Sequence, residues 1–333
     1  MTTPELTPGP LMELSGRYWE TCTLHAGVKL DIFTIIGSDE LTSDDVAQKI
    51  GADKRAVEML LNALAAMNLL DKNNHGYCNT PISKSFLVKD SPRYVGHIIR
   101  HHHHLVESWA QLDAAIQTGQ PVRTRVSFDD EDRRESFLLG MFNIAMGLAP
   151  VIVLLIDLSG RRHFLDLGGG PGTYAIQFCL KNKQLKATIY DLPTTRPFAE
   201  KTIAKFGLTD RIDFKDIDYL EDDIKGAYDV AWLSQILHGE GPEDCRRIIN
   251  KAVSALEPGG LILIHEFILN NTMDGPLFPA LFSLNMLLGT SSGQSYSEEQ
   301  IMGMLSDAGV GELRRIYFES PNDSSIIAGI VKK

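Results

Sequence analysis

The chain has 333 residues, which exceeds one ordinary domain and predicts two domains or one enlarged α/β domain. Hydrophobic residues make up 44% and charged residues 23%, values near the globular average that exclude disordered, collagen-like and coiled-coil classes. A formal net charge of −11 repels phosphate backbones and anionic lipid, so we expect neither a nucleic acid nor a membrane as partner.

The cysteines and the N-terminus indicate the compartment. The four cysteines lack a C-x-x-C pair, so neither a zinc ribbon nor a disulfide framework is expected. Residues 1–10 contain no Lys or Arg, and the densest apolar stretch, 151–156, is too short to span a bilayer. We therefore expect a cytoplasmic protein with reduced thiols at Cys22, Cys78, Cys179 and Cys245.

The first 110 residues predict a small helical domain. Thr42 and Asp45 form a capping-box pattern, and Asp53 can cap a second helix. A polar turn over 71–76 and a strand-like piece from Tyr77 complete a pattern that resembles a winged helix. The second helix has an apolar face formed by Val57, Leu60, Leu61 and Leu64. An apolar N-terminal stretch suited to a subunit interface contains Leu11, Leu14, Tyr18, Trp19, Leu24 and Leu30.

DNA binding is the most specific function that a winged helix suggests, but the predicted domain lacks a basic surface. Its second helix offers Lys54 and Arg55 against Asp53 and Glu58, whereas DNA binding needs a basic stripe. A packing domain is the better interpretation. Helical segments over 105–117 and 135–158 are then predicted to connect it to a second domain.

After residue 160 short apolar runs alternate with stretches long enough for helices. The runs at 163–167, 187–190, 211–214, 230–233 and 261–264 predict strands. Strands that alternate with helices indicate a parallel sheet covered on both faces. Two final runs, 315–319 and 326–331, permit an antiparallel hairpin.

The strongest chemical signal is FLDLGGGPGT over 164–173, an apolar strand that enters a glycine-rich turn. Glycines there let a ligand approach backbone N–H groups. Asp191 follows at the end of the next predicted strand, where its carboxylate can accept hydrogen bonds from two ribose hydroxyls. The pair predicts an adenosine site, with a plain strand-to-helix turn as the alternative.

The turn departs from the dinucleotide fingerprint, which has Gly or Ala at its sixth position. Thr173 stands there, and Pro171 removes one backbone N–H. A zwitterionic ligand without phosphate, such as S-adenosylmethionine, therefore fits better than a nicotinamide dinucleotide.

Further motifs resemble the S-adenosylmethionine-dependent O-methyltransferases of the caffeic acid and acetylserotonin (hydroxyindole) type, in their bacterial branch. The matching stretches are DLGGGPGT at 166–173, YDLP at 190–193, DIDYL at 216–220, SQILHGEGPEDC at 234–245, LEPGGLILIHEFIL at 256–269, GQSYSEEQI at 293–301 and DAGV at 307–310. Residues 161–333 resemble the family's catalytic domain and residues 11–100 its winged-helix dimerisation domain, so the resemblance covers nearly the whole chain.

The resemblance implies three regions. Residues 1–105 would form a winged-helix dimerisation domain, and residues 106–160 a helical connection that carries acceptor-pocket helices. Residues 161–333 would form a Rossmann-like α/β domain that binds S-adenosyl-L-methionine and releases S-adenosyl-L-homocysteine. Its sheet would be mostly parallel and seven-stranded, with an antiparallel C-terminal hairpin.

The resemblance also implies site residues. Asp191 and Leu192 would hold ribose and adenine, while Asp218 and Tyr219 would flank the adenine. The full implied cofactor set is Asp166, Gly168, Gly169, Gly170, Asp191, Leu192, Asp218, Tyr219 and Ser234. Candidate walls of the acceptor pocket, for which plain core packing is the alternative, are Phe137, Met141, Phe282 and Met286.

His238 aligns with the family's general base and Glu266 with the carboxylate that orients it. A phenol-like hydroxyl titrates near ~10, so it needs a base at neutral pH as it attacks a sulfonium methyl. His238 follows a predicted strand at the crevice end of the sheet. The alternatives are a structural histidine and a solvated loop carboxylate.

Two positions depart from the family pattern. Gly239-Glu240-Gly241 follows the base where plant members have Asp-Trp, and Ser295 stands where the family has a second Glu. We therefore expect one catalytic carboxylate instead of two.

A run of histidines precedes the connection. If helical, His97, His101 and His104 share one face, a spacing that could ligate a metal. No carboxylate or Cys is committed to that face, and methyl transfer needs no Lewis acid. We expect no metal, and histidines that border the acceptor pocket or are exposed.

The sequence thus predicts a homodimeric, metal-independent methyltransferase acting on a hydroxyl of a small aromatic or heteroaromatic molecule. The first alternative is the same fold methylating carbon, nitrogen or sulfur, or catalysing a non-methylating reaction. The second is a ligand-sensing winged-helix regulator with a non-catalytic methyltransferase domain. A third is nicotinamide-dependent reduction.

Overall fold

The computed structural model describes residues 6–124 and 131–332, without the side chains of residues 131 and 132. Within them the chain forms two compact units, one up to residue 105 and one from residue 106 onward.

The first unit is mainly helical. Its strands β1 and β2 form an antiparallel hairpin. In chain order its elements are α1 (Gly9–Gly16), α2 (Tyr18–Lys29), α3 (Ile32–Ile36), α4 (Ser43–Ile50), α5 (Lys54–Ala66), β1 (Leu70–Lys72), β2 (Tyr77–Asn79), α6 (Pro81–Phe86) and α7 (Gly96–Trp109), which continues into the second unit.

Side-chain caps define two of these helices. Thr42 accepts from the Asp45 N–H while the Asp45 carboxylate accepts from the Thr42 N–H, which confirms the predicted capping box at α4. The Asp53 carboxylate caps α5, also as predicted. The apolar face of α5 buries Val57, Leu61 and Leu64 in the core, whereas Leu60 is half-buried.

The N-terminal helices carry an apolar surface. α1 buries no residue. Five large apolar side chains of α1 and α2, here called the N-terminal patch, are each between 62% and 67% exposed. They are Leu11, Met12, Leu14, Tyr18 and Trp19. Several large apolar side chains exposed on two consecutive helices are typical of an interaction site.

The second unit alternates helices with strands. Where a single helix over 105–117 was expected, α7 begins earlier and α8 is separate, so that prediction is wrong. The elements are α8 (Leu112–Thr118), α9 (Glu131–Leu155), β3 (His163–Leu167), α10 (Thr173–Lys181), β4 (Lys186–Asp191), α11 (Arg196–Lys205), β5 (Ile212–Asp216), β6 (Tyr228–Ser234), α12 (Pro242–Ser254), β7 (Leu256–Leu269), α13 (Leu277–Gly289), β8 (Tyr296–Ser297), α14 (Glu298–Asp307), β9 (Val310–Ile316) and β10 (Ser324–Val331).

The central sheet has the strand order β5-β4-β3-β6-β7-β10-β9. The first five strands pair in parallel, and β10 pairs antiparallel with both β7 and β9. This confirms the predicted mostly parallel sheet with an antiparallel C-terminal hairpin. The two-residue strand β8, which pairs in parallel with the end of β7, was not predicted.

Strand order reverses at β3, because β4 lies on one side of it and β6 on the other. In open α/β sheets the crevice at such a reversal binds ligands beyond the carboxyl ends of the strands. Successive residues of each strand enter opposite cores. Phe164 and Trp232 pack into the core on one face, and Leu165 and Leu233 into the core on the other.

Helix α9 corrects one expectation. Residues 137–156 contain no charged residue, so the apolar stretch is much longer than 151–156. By length and composition Arg133–Leu155 could cross a membrane, a test that core helices of soluble proteins also pass. One face of α9 is core, with Ala149 and Ile152 fully buried. Lys181 of α10 donates to the carbonyl of Val153 near the end of α9.

Candidate active site

In the glycine-rich turn after β3, neighbouring side chains leave no room for a Cβ at two of the glycines. Gly168 has φ +66°, and a Cβ there would lie 2.5 Å from Cγ2 of Ile236. A Cβ on Gly169 would lie 2.6 Å from the Asp166 carboxyl carbon. Gly170 differs, because with φ +54° a Cβ there would meet no described atom within 4 Å. The space over Gly170 is therefore open to a ligand.

Asp191, at the end of β4, is fixed against this turn. Its Oδ2 accepts from the Gly170 N–H at 2.8 Å. Its Oδ1 accepts from the Leu192 N–H at 2.7 Å and from the Thr195 hydroxyl at 3.1 Å. The carboxylate is thus held at the edge of the open space, and sequence reasoning missed the contribution of Thr195.

The segment after β5 runs beside the end of β4. The Ile217 N–H donates to the Asp191 carbonyl at 3.0 Å, which brings Asp218 and Tyr219 next to Asp191. Lys251 of α12 donates to the Tyr219 carbonyl at 3.0 Å and anchors this segment. The residues assigned to ribose and adenine by resemblance therefore lie together.

Asp166 is a buried acid beneath the turn. Its Oδ2 accepts from the Ala175 N–H at 3.2 Å, while its Oδ1 has no hydrogen-bond partner among the described residues. The pKa of this carboxyl is raised to about 7, mainly by burial; the Ala175 hydrogen bond opposes the rise and the charge of Asp191 adds to it. The unpartnered Oδ1, next to Gly169 of the turn, fits a ligand with a positively charged donor, such as S-adenosylmethionine, among the described residues.

His238 and Glu266 meet at the end of β6. His238 lies in a short 3-10 helix, Leu237–Gly239, and its Nδ1 is 2.8 Å from Glu266 Oε2. Glu266 Oε1 accepts from the N–H groups of Leu237 and His238, at 3.0 and 3.3 Å. The Glu266 side chain is 3% exposed, so the alternative of a solvated loop carboxylate is wrong.

The pairing fixes the tautomer of His238. A carboxylate accepts only, so Nδ1 carries the proton and Nε2 has a lone pair. Nε2 makes no hydrogen bond with any described residue, and the side chain is 13% exposed. This arrangement can accept a proton at Nε2 and stabilise the imidazolium through Glu266.

Aromatic rings surround the imidazole. Phe282 of α13 meets His238 edge to face at a centroid distance of 4.8 Å. Phe267 lies parallel to it at 5.7 Å, and Phe278 packs on Phe267 at 5.0 Å. The predicted wall residue Phe282 is therefore at the site. Phe267 and Phe278 were missed, although Phe267 directly follows Glu266 in sequence.

The other three candidate walls lie on helices α9 and α13. Met286 follows Phe282 by about one helical turn and is buried. Phe137 and Met141 lie one turn apart on α9 and are half-buried. Their contact with an acceptor stays a prediction.

Side chains from β8 and α12 hold the loop that carries His238 through hydrogen bonds to its carbonyl groups. The Tyr296 hydroxyl donates to the Glu240 carbonyl at 2.5 Å, and the Cys245 thiol to the Leu237 carbonyl at 3.1 Å. Burial raises the pKa of Cys245 to about 12, which keeps it a thiol. Ser295, in place of the second family carboxylate, is buried, and its N–H donates to the Ser283 hydroxyl.

Ser234 belongs to a buried polar cluster that the sequence did not predict. Its hydroxyl lies 2.9 Å from Nδ1 of His265, a fully buried residue of β7. Ser234 and His265 lie 31 residues apart on two different strands, and no spacing pattern in the sequence connects them.

The histidine run lies on the helix α7, so the helical spacing considered for His97, His101 and His104 applies. His103 Nε2 is 3.2 Å from the Lys29 ammonium, and its ring meets the buried His25 edge to face. Within residues 6–124 and 131–332 no three His, Cys, Asp or Glu side chains are grouped to hold a metal ion.

Known proteins match along almost the whole chain. The O-methyltransferase domain matches residues 109–311, and the O-methyltransferase dimerisation domain matches residues 12–89. A 3-hydroxy-5-methyl-1-naphthoate 3-O-methyltransferase from Streptomyces sahachiroi is 33% identical, over 97% of this chain and 95% of its own. The N,N-dimethyltransferase OxyT from Streptomyces rimosus is 26% identical, over 93% of each chain.

A solved structure shows the same architecture. PigF, an S-adenosyl-L-methionine-dependent methyl transferase from Serratia, was solved with SAH. It superposes with a TM-score of 0.88 at 26% identity, covering 98% of this chain and 100% of that chain. The chain described here belongs to the O-methyltransferase family and is an S-adenosylmethionine-dependent methyltransferase.

Proposed function

We propose that the chain methylates a hydroxyl group of a small aromatic molecule, with His238 as general base. The observation that carries this proposal is the contact between His238 Nδ1 and the buried Glu266 carboxylate, which leaves the Nε2 lone pair for an incoming proton. S-adenosylmethionine, when bound, supplies the electrophilic methyl group.

Glu266 acts through His238. Its Oε2 accepts from Nδ1 and its Oε1 accepts from two backbone N–H groups, so the carboxylate cannot turn away. As Nε2 takes the hydroxyl proton, the imidazole becomes a cation next to this fixed anion. General bases of this kind contribute about 10²–10⁴-fold to a rate.

The aromatic side chains around His238 support a flat acceptor. Phe267, Phe278 and Phe282 form one ring cluster against the imidazole. Aromatic faces and edges favour offset or edge-to-face contact with another ring. The matched relative from Streptomyces sahachiroi is named for a hydroxynaphthoate, which agrees with a fused-ring acceptor.

Nitrogen methylation is the second candidate, because OxyT is named an N,N-dimethyltransferase. A neutral amine attacks a methyl group with its own lone pair and has less need of a base in the same step. The buried Glu266 partner of His238 therefore favours oxygen over nitrogen.

The test is product identification. We expect purified protein with S-adenosylmethionine to convert hydroxynaphthoates to methyl ethers, identified by mass spectrometry and NMR. The matched aminonaphthoates should give little product. If hydroxynaphthoates and aminonaphthoates were methylated only on nitrogen or carbon, the proposal would be contradicted.

We also propose that the protein is a homodimer. The N-terminal patch lies within or beside residues 12–89, which match the dimerisation domain. Aromatic and aliphatic side chains more than half exposed on two consecutive helices are typical of a surface that another subunit covers.

A further inference from the structure

A fully buried histidine of β7, His265, contacts the end of β6. His265 is the neighbour of Glu266 on β7, but its side chain enters the opposite core. Its ring stacks near Trp232 at a centroid distance of 5.7 Å and meets Tyr174 edge to face at 5.8 Å. These contacts hold the imidazole in one orientation.

Both ring nitrogens of His265 have hydroxyl partners. Nδ1 is 2.9 Å from the Ser234 hydroxyl and 3.4 Å from the Tyr174 hydroxyl. Nε2 is 3.1 Å from the Ser324 hydroxyl. The imidazole thus joins the end of β6, the start of α10 and the start of β10.

The far side of the network sets the tautomer. Ser320 accepts from the Ser324 N–H at 2.8 Å and donates to the Ser324 carbonyl at 3.3 Å. The Ser324 hydroxyl therefore donates to Ser320, at 3.2 Å, and its lone pairs face Nε2. Nε2 then carries the proton, and Nδ1 accepts.

The neutral ring can play this role at ordinary pH. Burial lowers the pKa of His265 to about 4, against the opposing effect of Glu266, so Nδ1 retains its lone pair. Nδ1 accepts, and Ser234 is its nearer hydroxyl partner, at 2.9 Å against 3.4 Å for Tyr174, so the Ser234 hydroxyl donates its proton to His265. Ser234 then offers only oxygen lone pairs toward the crevice.

The strand order places Ser234 beside the charged end of the cofactor. Asp191 and Asp218, the predicted ribose and adenine residues, lie at the ends of β4 and β5, and the glycine-rich turn lies at β3. β6 is the next strand, and the loop after it carries His238. Going across the sheet, Ser234 therefore falls between the methionine side of the cofactor and the base.

We infer that His265 is a positioning residue that orients the Ser234 hydroxyl as an acceptor toward the cationic sulfonium end of S-adenosylmethionine. The inference rests on the cofactor position proposed above. A lone pair directed at a positive charge stabilises S-adenosylmethionine but adds little for S-adenosylhomocysteine, whose sulfur is neutral. The network thereby favours the methyl donor over the product.

The test compares the dissociation constants of the two ligands by calorimetry in matched variants. His265→Asn keeps an acceptor near the Nδ1 position, whereas His265→Gln keeps a polar group near Nε2 and loses the link to Ser234. In His265→Gln we expect affinity for S-adenosylmethionine to fall about tenfold and that for S-adenosylhomocysteine to change less than about threefold. His265→Asn should keep the wild-type ratio.

Ser234→Ala provides the check that does not depend on a buried substitution. It should lower the preference for S-adenosylmethionine by the same factor as His265→Gln, and the double variant should show no further change. If His265→Gln does not fold, Ser234→Ala alone decides. Equal weakening of both ligands, or an unchanged ratio in Ser234→Ala, would overturn the inference. Since no acceptor is present, the result is independent of whether oxygen is the methylated atom.

Discussion

His238 and Glu266 come from neighbouring strands and form the pair on which the proposed chemistry depends. Glu266 is buried on β7 and makes three hydrogen bonds to the His238 loop, one to the imidazole and two to backbone N–H groups. A buried carboxylate is tolerated when it is paired in this way. The geometry leaves Nε2 as the working atom.

Glu266→Gln should therefore slow methyl transfer without removing the base. The amide of Gln can donate to Nδ1, which would place the imidazole proton on Nε2 and remove the lone pair. We expect kcat to fall by about 10²–10⁴-fold. Glu257→Gln, an exposed residue of the same strand, is the matched control and should retain wild-type kcat. Equal rates in the two variants would show that Glu266 has no part in catalysis.

Sequence reasoning identified residues whose role the family pattern supplies and missed residues whose role depends on tertiary contacts, even where these stand inside one of the matching stretches, as His265 and Phe267 do. His238, Glu266 and Asp191 lie in stretches with recognisable spacing, and the structure brings each to the crevice. His265 gave no signal, because its hydroxyl partners lie on elements distant in sequence that the fold brings together. Phe278 gave none either, because packing of α13 on the adjacent strand β7 brings it to Phe267.

The glycine-rich turn contains one glycine that packing requires, Gly168, and one that faces open space, Gly170. Gly170 has a left-handed backbone with open space beside it, whereas Gly168 is pressed against Ile236. Replacing a glycine in the left-handed region by a residue with a Cβ costs about 1–2 kcal/mol of stability at any position. Ligand contact at Gly170 can therefore be distinguished from backbone strain by a suitable control.

Gly170→Ala should weaken S-adenosylmethionine binding through the Cβ that enters the open space. Gly259→Ala is the control, because Gly259 is also left-handed with no atom within 4 Å of its Cβ position among the described residues. Both variants should lose similar stability in urea denaturation, but only Gly170→Ala should raise the dissociation constant, by about tenfold or more. If both bind the cofactor equally well, the space over Gly170 is not the binding site.

Element boundaries were less predictable than element types. The run at 261–264 predicted a short strand, yet β7 spans Leu256–Leu269, because both its ends find partner strands. Its central position explains the continuous burial of its second half, which includes His265 and Glu266. Periodicity alone could not show that polar residues would be accepted there.

At the scale of the whole molecule, the buried titratable groups make stability depend on pH. The pKa of Asp166 is raised by burial to about 7, from 3.8 in an ordinary setting. Between these two pKa values the Asp166 carboxyl keeps its proton in the folded state, whereas in the unfolded state it has released the proton. Asp166 therefore lowers the free energy of unfolding as pH rises from about 4 to about 7.

Asp166→Asn removes this titration. Relative to wild type, the variant should gain stability as pH rises, on the order of 1.4 kcal/mol for each pH unit within the window. Urea denaturation of both proteins between about pH 4 and about pH 8 measures the difference. A stability difference that does not change with pH would mean that Asp166 ionises normally in the folded protein.

The proposed homodimer can be tested on the N-terminal patch. Trp19→Glu would place a charge within the N-terminal patch, and we expect it to convert a dimer into a monomer in light scattering. Met59→Glu is the control, because Met59 of α5 is also a large, 59% exposed apolar residue of the same unit. A wild-type monomer, or a dimer that persists in Trp19→Glu, would argue against this interface.

The most direct test of the central claim is the single-turnover rate of methyl ether formation by His238→Ala at saturating S-adenosylmethionine. We predict a rate about 10²–10⁴-fold below wild type, with the dissociation constant for S-adenosylmethionine changed by less than about threefold. A rate within about threefold of wild type would contradict the assignment of His238 as the base.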